Sequence, residues 1–405
     1  MDSRKEIGRR IASARCRRGL SQAVLSGLVG RSESWLSQVE RGQRAVDSHT
    51  VLNALAEILG LSVDELTARS GGCPSRYRAA SCIRQAMMSY DGLSCLIDPR
   101  HTEASIESVA WLRHEIRRVN ELYQATRYDE AGARLPRLIV AAELGSRHAP
   151  AAQREPYQVL RALTYHAATT TLRRVGEAEL AWCAADRSLA AAQEAGRPLL
   201  AAVSAYRLGH VLIRLRETGK ALNLLLDAAD ALRRTVRGSL PPRIAPVVGA
   251  LHLAAVTAAA TARDHAATAD FLKGARRIAE QLGGDRNDFW MAFGMSNVAI
   301  HEISAAVEFG DAREAIGKGE SLHLDALAAG LVGRRSQVHL DLARAYALQR
   351  KDAAAVNMLL EAERLSPELL RYGMRPRELL TQLLKREHRA STPQLRALAR
   401  RAGVV

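Results

Sequence analysis

Through residues 1–70, apolar residues recur at helical spacing between polar caps, and the pattern predicts five short helices. Ser3 and Glu6 form a capping-box pair, Ile7 and Ile11 then mark one apolar face, and Gly19 ends the first helix. Ser21 caps a second helix in which Val24, Leu25 and Leu28 are expected to face inward before Gly30 supplies a turn. Ser32 caps the third, and Asp47 the fourth, where Val51, Leu52, Leu55, Ile58 and Leu59 are periodic. Ser62 with Glu65 opens the fifth. Two short helices joined across Gly30 make a helix-turn-helix.

In the third helix, steps of about 100° per residue set Leu36 and Val39 on the buried side. Ser34, Ser37, Gln38 and Arg41 then project on the opposite side, and Trp35 and Glu40 fall on opposite flanks. Trp35 therefore reads as a wedge packed on neighbouring helices, not as a base-stacking group.

Gly71-Gly72-Cys73-Pro74-Ser75 breaks this pattern and opens a linker, residues 71–104, containing a short helix around Tyr77 to Tyr90. From residue 105 helix pairs recur. Their inner breaks are Arg127-Tyr128-Asp129, Gly176-Glu177, Gly219-Lys220, Asp264-His265, Gly310-Asp311 and Lys351-Asp352, spaced by 41 to 49 residues. Ala-rich helices follow each break, as Ala190-Ala191-Ala192 and Ala353-Ala354-Ala355 illustrate, and small residues let neighbouring helices approach closely. This is the pattern of an α-solenoid over residues 105–375, with capping helices at 376–405. The fold class expected is all-α: a five-helix helix-turn-helix domain followed by tetratricopeptide-like helix pairs.

Composition agrees, since aromatic residues make up only 4% of the chain and Ala, Leu, Arg and Glu dominate. A net charge of +15 suggests a polyanionic partner, because cations gain affinity by releasing counterions from phosphates. Only six of the 58 basic residues are lysine, a usage that GC-rich coding also produces, so charge alone does not decide the matter. Five scattered cysteines do not make a secreted disulfide framework, and a reducing cytoplasm is expected. Cys73, Cys82, Cys95 and His101 lack the close cysteine pair of zinc modules, so no metal or cofactor is expected. Val247 to Ala262 is apolar but short, and His252 and Thr257 interrupt it; it reads as a buried helix, not a membrane span. His301-Glu302 begins like a zincin motif but has Ala305 where the second histidine belongs. With no phosphate-binding Gly loop and no nucleophile elbow, nothing argues for an enzyme.

Four blocks carry a resemblance: Gly19-Leu20-Ser21-Gln22, Leu28-Val29-Gly30-Arg31-Ser32, Leu36-Ser37-Gln38-Val39-Glu40-Arg41-Gly42 and Leu55-Ala56-Glu57-Ile58-Leu59-Gly60-Leu61. Together they resemble the phage repressor and Cro class of DNA-binding domain, also called the xenobiotic-response-element class, over residues 5–68. That resemblance implies a double-stranded DNA partner, with Gln22 supporting the backbone contact and the third helix in the major groove. The implied contact residues are Gln22, Arg31, Ser32, Glu33, Ser34, Ser37, Gln38, Arg41 and Arg44, with Glu33, Ser34, Ser37 and Gln38 as base readers. Ser26 departs from the Ala usual in the class but is also small. Glu33 is favoured in the first helical turn by the macrodipole, and its carboxylate suits cytosine N4, so it is expected to supply selectivity. Affinity must then come from cations, and residues 1–46 hold ten Arg or Lys against four acids.

The second part of the chain resembles the tetratricopeptide-type arrays of a group of actinobacterial regulators with the same two-part plan. Leu135-Pro136-Arg137-Leu138 and Phe293-Gly294-Met295-Ser296-Asn297-Val298-Ala299-Ile300-His301 carry that resemblance. It implies a homodimer and a small-molecule, peptide or protein effector. Phe289, Trp290 and Phe293, with the polar pair Asn297 and His301 one turn on, are the effector-site candidates; the alternative is an aromatic knot in the solenoid core. The expected function is therefore a cytoplasmic, DNA-binding transcription regulator with no membrane partner. The rival is a protein-interaction scaffold whose helix-turn-helix docks a protein.

Overall fold

The computed structural model describes residues 3–18, 20–46, 48–59, 77–89, 106–324, 327–388 and 390–405. The fold is all-α; among the described residues the one extended pairing is an isolated bridge between Arg286 and Phe293. The chain divides into two compact units, Met1–Arg76 and Tyr77–Val405.

The first unit contains α1 (Ser3–Arg17), α2 (Gln22–Leu28), α3 (Glu33–Glu40) and α4 (His49–Leu59). Capping follows the sequence: the Ser21 hydroxyl accepts from the Val24 amide at 3.1 Å and the Ser32 hydroxyl from the Trp35 amide at 3.2 Å. Gly30 takes φ +64° between α2 and α3, a value L side chains rarely adopt, and the Arg31 amide closes the turn on the Ser26 carbonyl at 2.8 Å. Ile11, Leu25, Leu36, Val39 and Leu55 form the centre of the core. Gly8 is where α1 crosses the end of α3: a Cβ there would lie 2.1 Å from the Val39 carbonyl oxygen.

One expectation is corrected. Leu25 is buried, but Val24 and Leu28 are 50% and 59% exposed. The helix turns Leu25, Ser26 and Val29 to the core, so Val24 and Leu28, four residues apart, form the neighbouring stripe on the outside. In seven residues, apolar spacing fits either stripe, and packing on α3 decides between them. Gly19, the Asp47 cap and the fifth helix opened by Ser62 and Glu65 lie outside the described residues, as do the side chains of Ser3 and Glu6 and the residues Cys73, Cys95 and His101.

The second unit begins inside the stretch read as linker. Its first helix, α5 (Ala80–Met88), buries Ala80, Ile83 and Met87, and Tyr77 donates its hydroxyl to the Tyr128 carbonyl. Six helix hairpins follow: α6 (Val109–Gln124) with α7 (Tyr128–His148), α8 (Arg154–Arg174) with α9 (Ala178–Glu194), and α10 (Pro198–Arg214) with α11 (Thr218–Arg234). Then come α12 (Ala245–Thr261) with α13 (His265–Leu282), α14 (Met295–Phe309) with α15 (Ala312–Ser321), and α16 (Val332–Leu348) with α17 (Asp352–Leu365).

All six inner turns share one geometry. One residue at the end of the first helix takes positive φ (Thr126, Gly176, Arg216, Arg263, Gly310 and Arg350), and the next amide bonds back to the preceding helix, as Arg127 does to Leu122 and Asp264 to Ala259. These are Schellman turns. The third turn is Leu215-Arg216-Glu217, so Gly219 and Lys220 belong to the first turn of α11, a correction of the expected break. Its left-handed residue is an arginine, which no glycine search would find. Because a side chain disfavours this conformation, Arg263→Gly is expected to raise stability by about 0.5–1 kcal/mol and Gly310→Ala to lower it by about 1 kcal/mol. Urea unfolding midpoints that move together, or not at all, would contradict this.

Helix α12 is buried on nearly every side, as expected of Val247 to Ala262, and no described helix is long and apolar enough to cross a membrane. Helices α18 (Pro367–Tyr372), α19 (Met374–Leu384) and α20 (Leu395–Arg401) close the chain, with Leu379, Leu380, Leu383, Leu395 and Leu398 in the main core.

Candidate functional site

On α3, Leu36 and Val39 are buried, whereas Glu33 and Ser34 are exposed and Ser37 and Gln38 are partly so. Ser32 is held by its capping bond, and Arg31, Arg41 and Arg44 are exposed around the helix. Arg41 donates from Nε to the Ser37 carbonyl at 3.2 Å, which leaves its terminal nitrogens on the polar side. Trp35 is half-buried and packs on the core, with the Arg31 guanidinium 5.8 Å from its ring centroid. The wedge role therefore fits its position, and it stiffens Arg31 at the mouth of the turn.

Below this face lies a polar lock that the sequence reading missed. Glu40 is a flank residue, yet its side chain is only 6% exposed and it accepts from Arg15 Nε at 2.7 Å, Arg15 Nη2 at 3.1 Å and Gln22 Nε2 at 2.6 Å. One carboxylate thereby ties α1, α2 and α3 together. Hydrogen bonding to Glu40 pushes the Arg15 guanidinium further up, so this arginine stays charged. Gln22, expected to support a backbone contact, has its amide nitrogen anchored in this lock. The signal was present in α1, where Arg15 continues the four-residue stripe of Ile7 and Ile11. A charge on an apolar stripe calls for a buried partner. Of the acids in α3, the lock removes Glu40 from the polar face and leaves Glu33 on it.

The effector candidates do not share one surface. Phe293 is fully buried, its ring filling the notch at Gly249, where a Cβ would lie 2.0 Å from a ring carbon. This is the aromatic-knot alternative realised for Phe293. Phe289 and Trp290 are partly exposed in the loop before α14. Asn297 and His301 are buried on α14, His301 Nδ1 donating to the Asn297 carbonyl at 2.8 Å. Burial, then Arg334, push the imidazole down to about 4, so it is neutral near pH 7. Among the described residues no group of His, Cys, Asp and Glu is arranged to hold a metal ion.

A helix-turn-helix with a capped, polar-faced second helix is the class this geometry defines. A family described as a helix-turn-helix domain matches residues 6–68, and the first unit is such a domain. Among solved structures the chain is similar to that of Bacillus thuringiensis PlcR in complex with the peptide PapR7 and DNA. The identity is 13% and the TM-score 0.35, over 89% of this chain and 99% of that one. No curated protein matches.

Proposed function

We propose that this chain is a cytoplasmic, sequence-specific DNA-binding transcription regulator of the phage repressor and Cro class, with the two-part plan of the actinobacterial regulators it resembles. The observation that carries the reading is the division of α3: its apolar side and Glu40 are tied into the domain, while Glu33, Ser34, Ser37, Gln38 and Arg41 face outward beside Arg31 and Arg44. In the major groove such a face supplies base contacts from the polar residues and phosphate contacts from the cations.

The second unit is the sensing and dimerising part in this proposal. Its effector, a small molecule, peptide or protein, is expected beside Phe289, Trp290, Asn297 and His301, with Phe293 supporting the loop from below. A homodimer would place two copies of α3 on half-sites about one helical turn, or a multiple of it, apart, and an effector would act by favouring one spacing.

Gln38→Ala is expected to lose about 1–3 kcal/mol of discrimination at one base position while random-duplex binding stays the same. Arg41→Ala or Arg44→Ala should weaken binding to every sequence and reduce the salt slope by about 1. Titrations of specific and random duplex over a salt series check both. Equal losses on the two duplexes for Gln38→Ala would remove its base-reading role.

The scaffold reading is favoured by one observation, the exposed Val24 and Leu28 stripe on α2, which suits a protein contact. Salt-dependent, sequence-selective duplex binding separates the two readings.

A further inference from the structure

Arg174, Arg207 and Arg334 of the second unit meet between the start of α16 and the loop before α14, each bonded to neutral groups, and the charge of Arg173 reaches the same region. Arg173 and Arg174 end α8, Arg207 lies on α10 and Arg334 on α16; among the described residues none of them makes a salt bridge, and the bonds that Arg174, Arg207 and Arg334 make go to neutral groups. Arg174 donates to the Tyr128 hydroxyl and the Gln337 side-chain oxygen, each at 3.4 Å. Arg207, only 6% exposed, gives Nη2 to the Phe289 carbonyl at 2.8 Å, and its buried Nε has no partner. Arg334 gives Nη2 to the Met291 carbonyl at 3.2 Å.

All four act on Tyr123 of α6: burial pushes its hydroxyl up, but the guanidinium groups outweigh it and the net shift is down. His210, beside Arg207 on α10, is held well below its usual value by burial and then by Arg173, His301, Arg207 and Arg334. The carboxylate felt by Arg174 is Asp341, which is buried behind Gln337 and engaged by Ser304 and Gln337. A buried guanidinium satisfied only by neutral oxygens, as that of Arg207 is, is under-neutralised, and an oxyanion makes stronger, bidentate bonds to it than a carbonyl does. The buried Asn297 side-chain oxygen, also without a partner, lies on the same α14 face as His301.

The loop of residues 283–294 supplies the neutral oxygens that meet Arg207 and Arg334. Phe289, Trp290 and Ala292 all hold positive φ, at 49°, 56° and 53°, which is disfavoured for side chains of any size and most for bulky ones. In that conformation the carbonyls of Phe289, Trp290 and Met291 turn to Arg207, Gln124 and Arg334. The loop is otherwise tied down by the paired amides of Asn287 and Gln124 and by the Phe293 anchor. A strained four-residue segment, 289–292, thus offers two of its carbonyls to guanidinium donors suited to an anion.

We propose that Arg174, Arg207 and Arg334 form a binding site for an oxyanion group, carboxylate or phosphate, and that the anion displaces the Phe289 and Met291 carbonyls and releases the loop. This rests on the reading of the Phe289–His301 region as an effector site and names the ligand chemistry of that site. Displacement moves Trp290, which makes the site visible to fluorescence.

The test is titration of the full chain with pyrophosphate and, separately, with citrate, against chloride at matched ionic strength, following tryptophan emission with Trp290→Phe as the control for its origin. A saturable change is expected with at least one of the two, and the arm that responds says whether phosphate or carboxylate is preferred. It should weaken at least tenfold in Arg207→Gln and in the less buried Arg334→Gln, both checked for native helical content by circular dichroism. Responses indistinguishable from chloride in both arms, or unchanged affinity in the folded arginine variants, would overturn the proposal. The wider effector reading is scored apart from this, by whether Phe289→Ala and Trp290→Ala alter control of a reporter behind the selected operator.

Discussion

Glu40→Ala is expected to destabilise the first unit by about 3 kcal/mol, although it alters no residue assigned to DNA. Glu40 accepts three bonds, two from Arg15 and one from Gln22, and its removal leaves the Arg15 guanidinium, 14% exposed, with the Leu20 carbonyl alone. An orphaned, largely buried charge is the reason the loss exceeds that of a surface ion pair. The consequence reaches function, because the same carboxylate fixes the C-terminal end of α3 on α1 and α2. Hydrogen exchange of the full chain should show faster exchange in α1 to α3, with the second unit unchanged, and affinity for specific duplex should fall more than that for random duplex. Glu40→Gln keeps the shape and part of the bonding and should lie between. Wild-type protection in Glu40→Ala would mean that the lock does not hold these helices.

Phe293→Ala should cost the second unit about 3–5 kcal/mol, since a fully buried ring is lost and the space closes only in part. Gly249→Ala should also destabilise, because the added methyl would meet the Phe293 ring at 2.0 Å. The two sites are in contact, so the double variant should lose less than the sum: its methyl enters space that the ring has left. A cycle of urea unfolding measurements tests this, and strict additivity would contradict the proposed fit. The same packing anchors the loop that carries Phe289 and Trp290, which is why Phe293 belongs to the support of the candidate site and not to its surface.

Much of the first unit was legible because its signals are local. Ser21 and Ser32 cap as read, Gly30 turns as read, and Leu36 and Val39 are core because one helix of that period has one inward direction. Val24 and Leu28 were misjudged because a seven-residue helix carries two apolar stripes and only the crossing of its neighbours selects one. The helical repeat was legible from its breaks, but the register of α11 was not, because the turn is made by Arg216 while a glycine, Gly219, lies three residues on inside the helix. The Glu40 lock and the arginine cluster depend on residues far apart in sequence, such as Arg15 with Glu40 and Arg207 with Arg334. Spacing does not report such meetings; only the packed helices create them.

The most direct test of the central claim is selection of bound fragments from random double-stranded DNA by the purified full chain, at fixed salt. An enriched motif with two related half-sites about one helical turn or a multiple apart is expected, with loss of preference at one position of each half-site in Gln38→Ala. A pool that stays random, with binding set by salt alone, would contradict it.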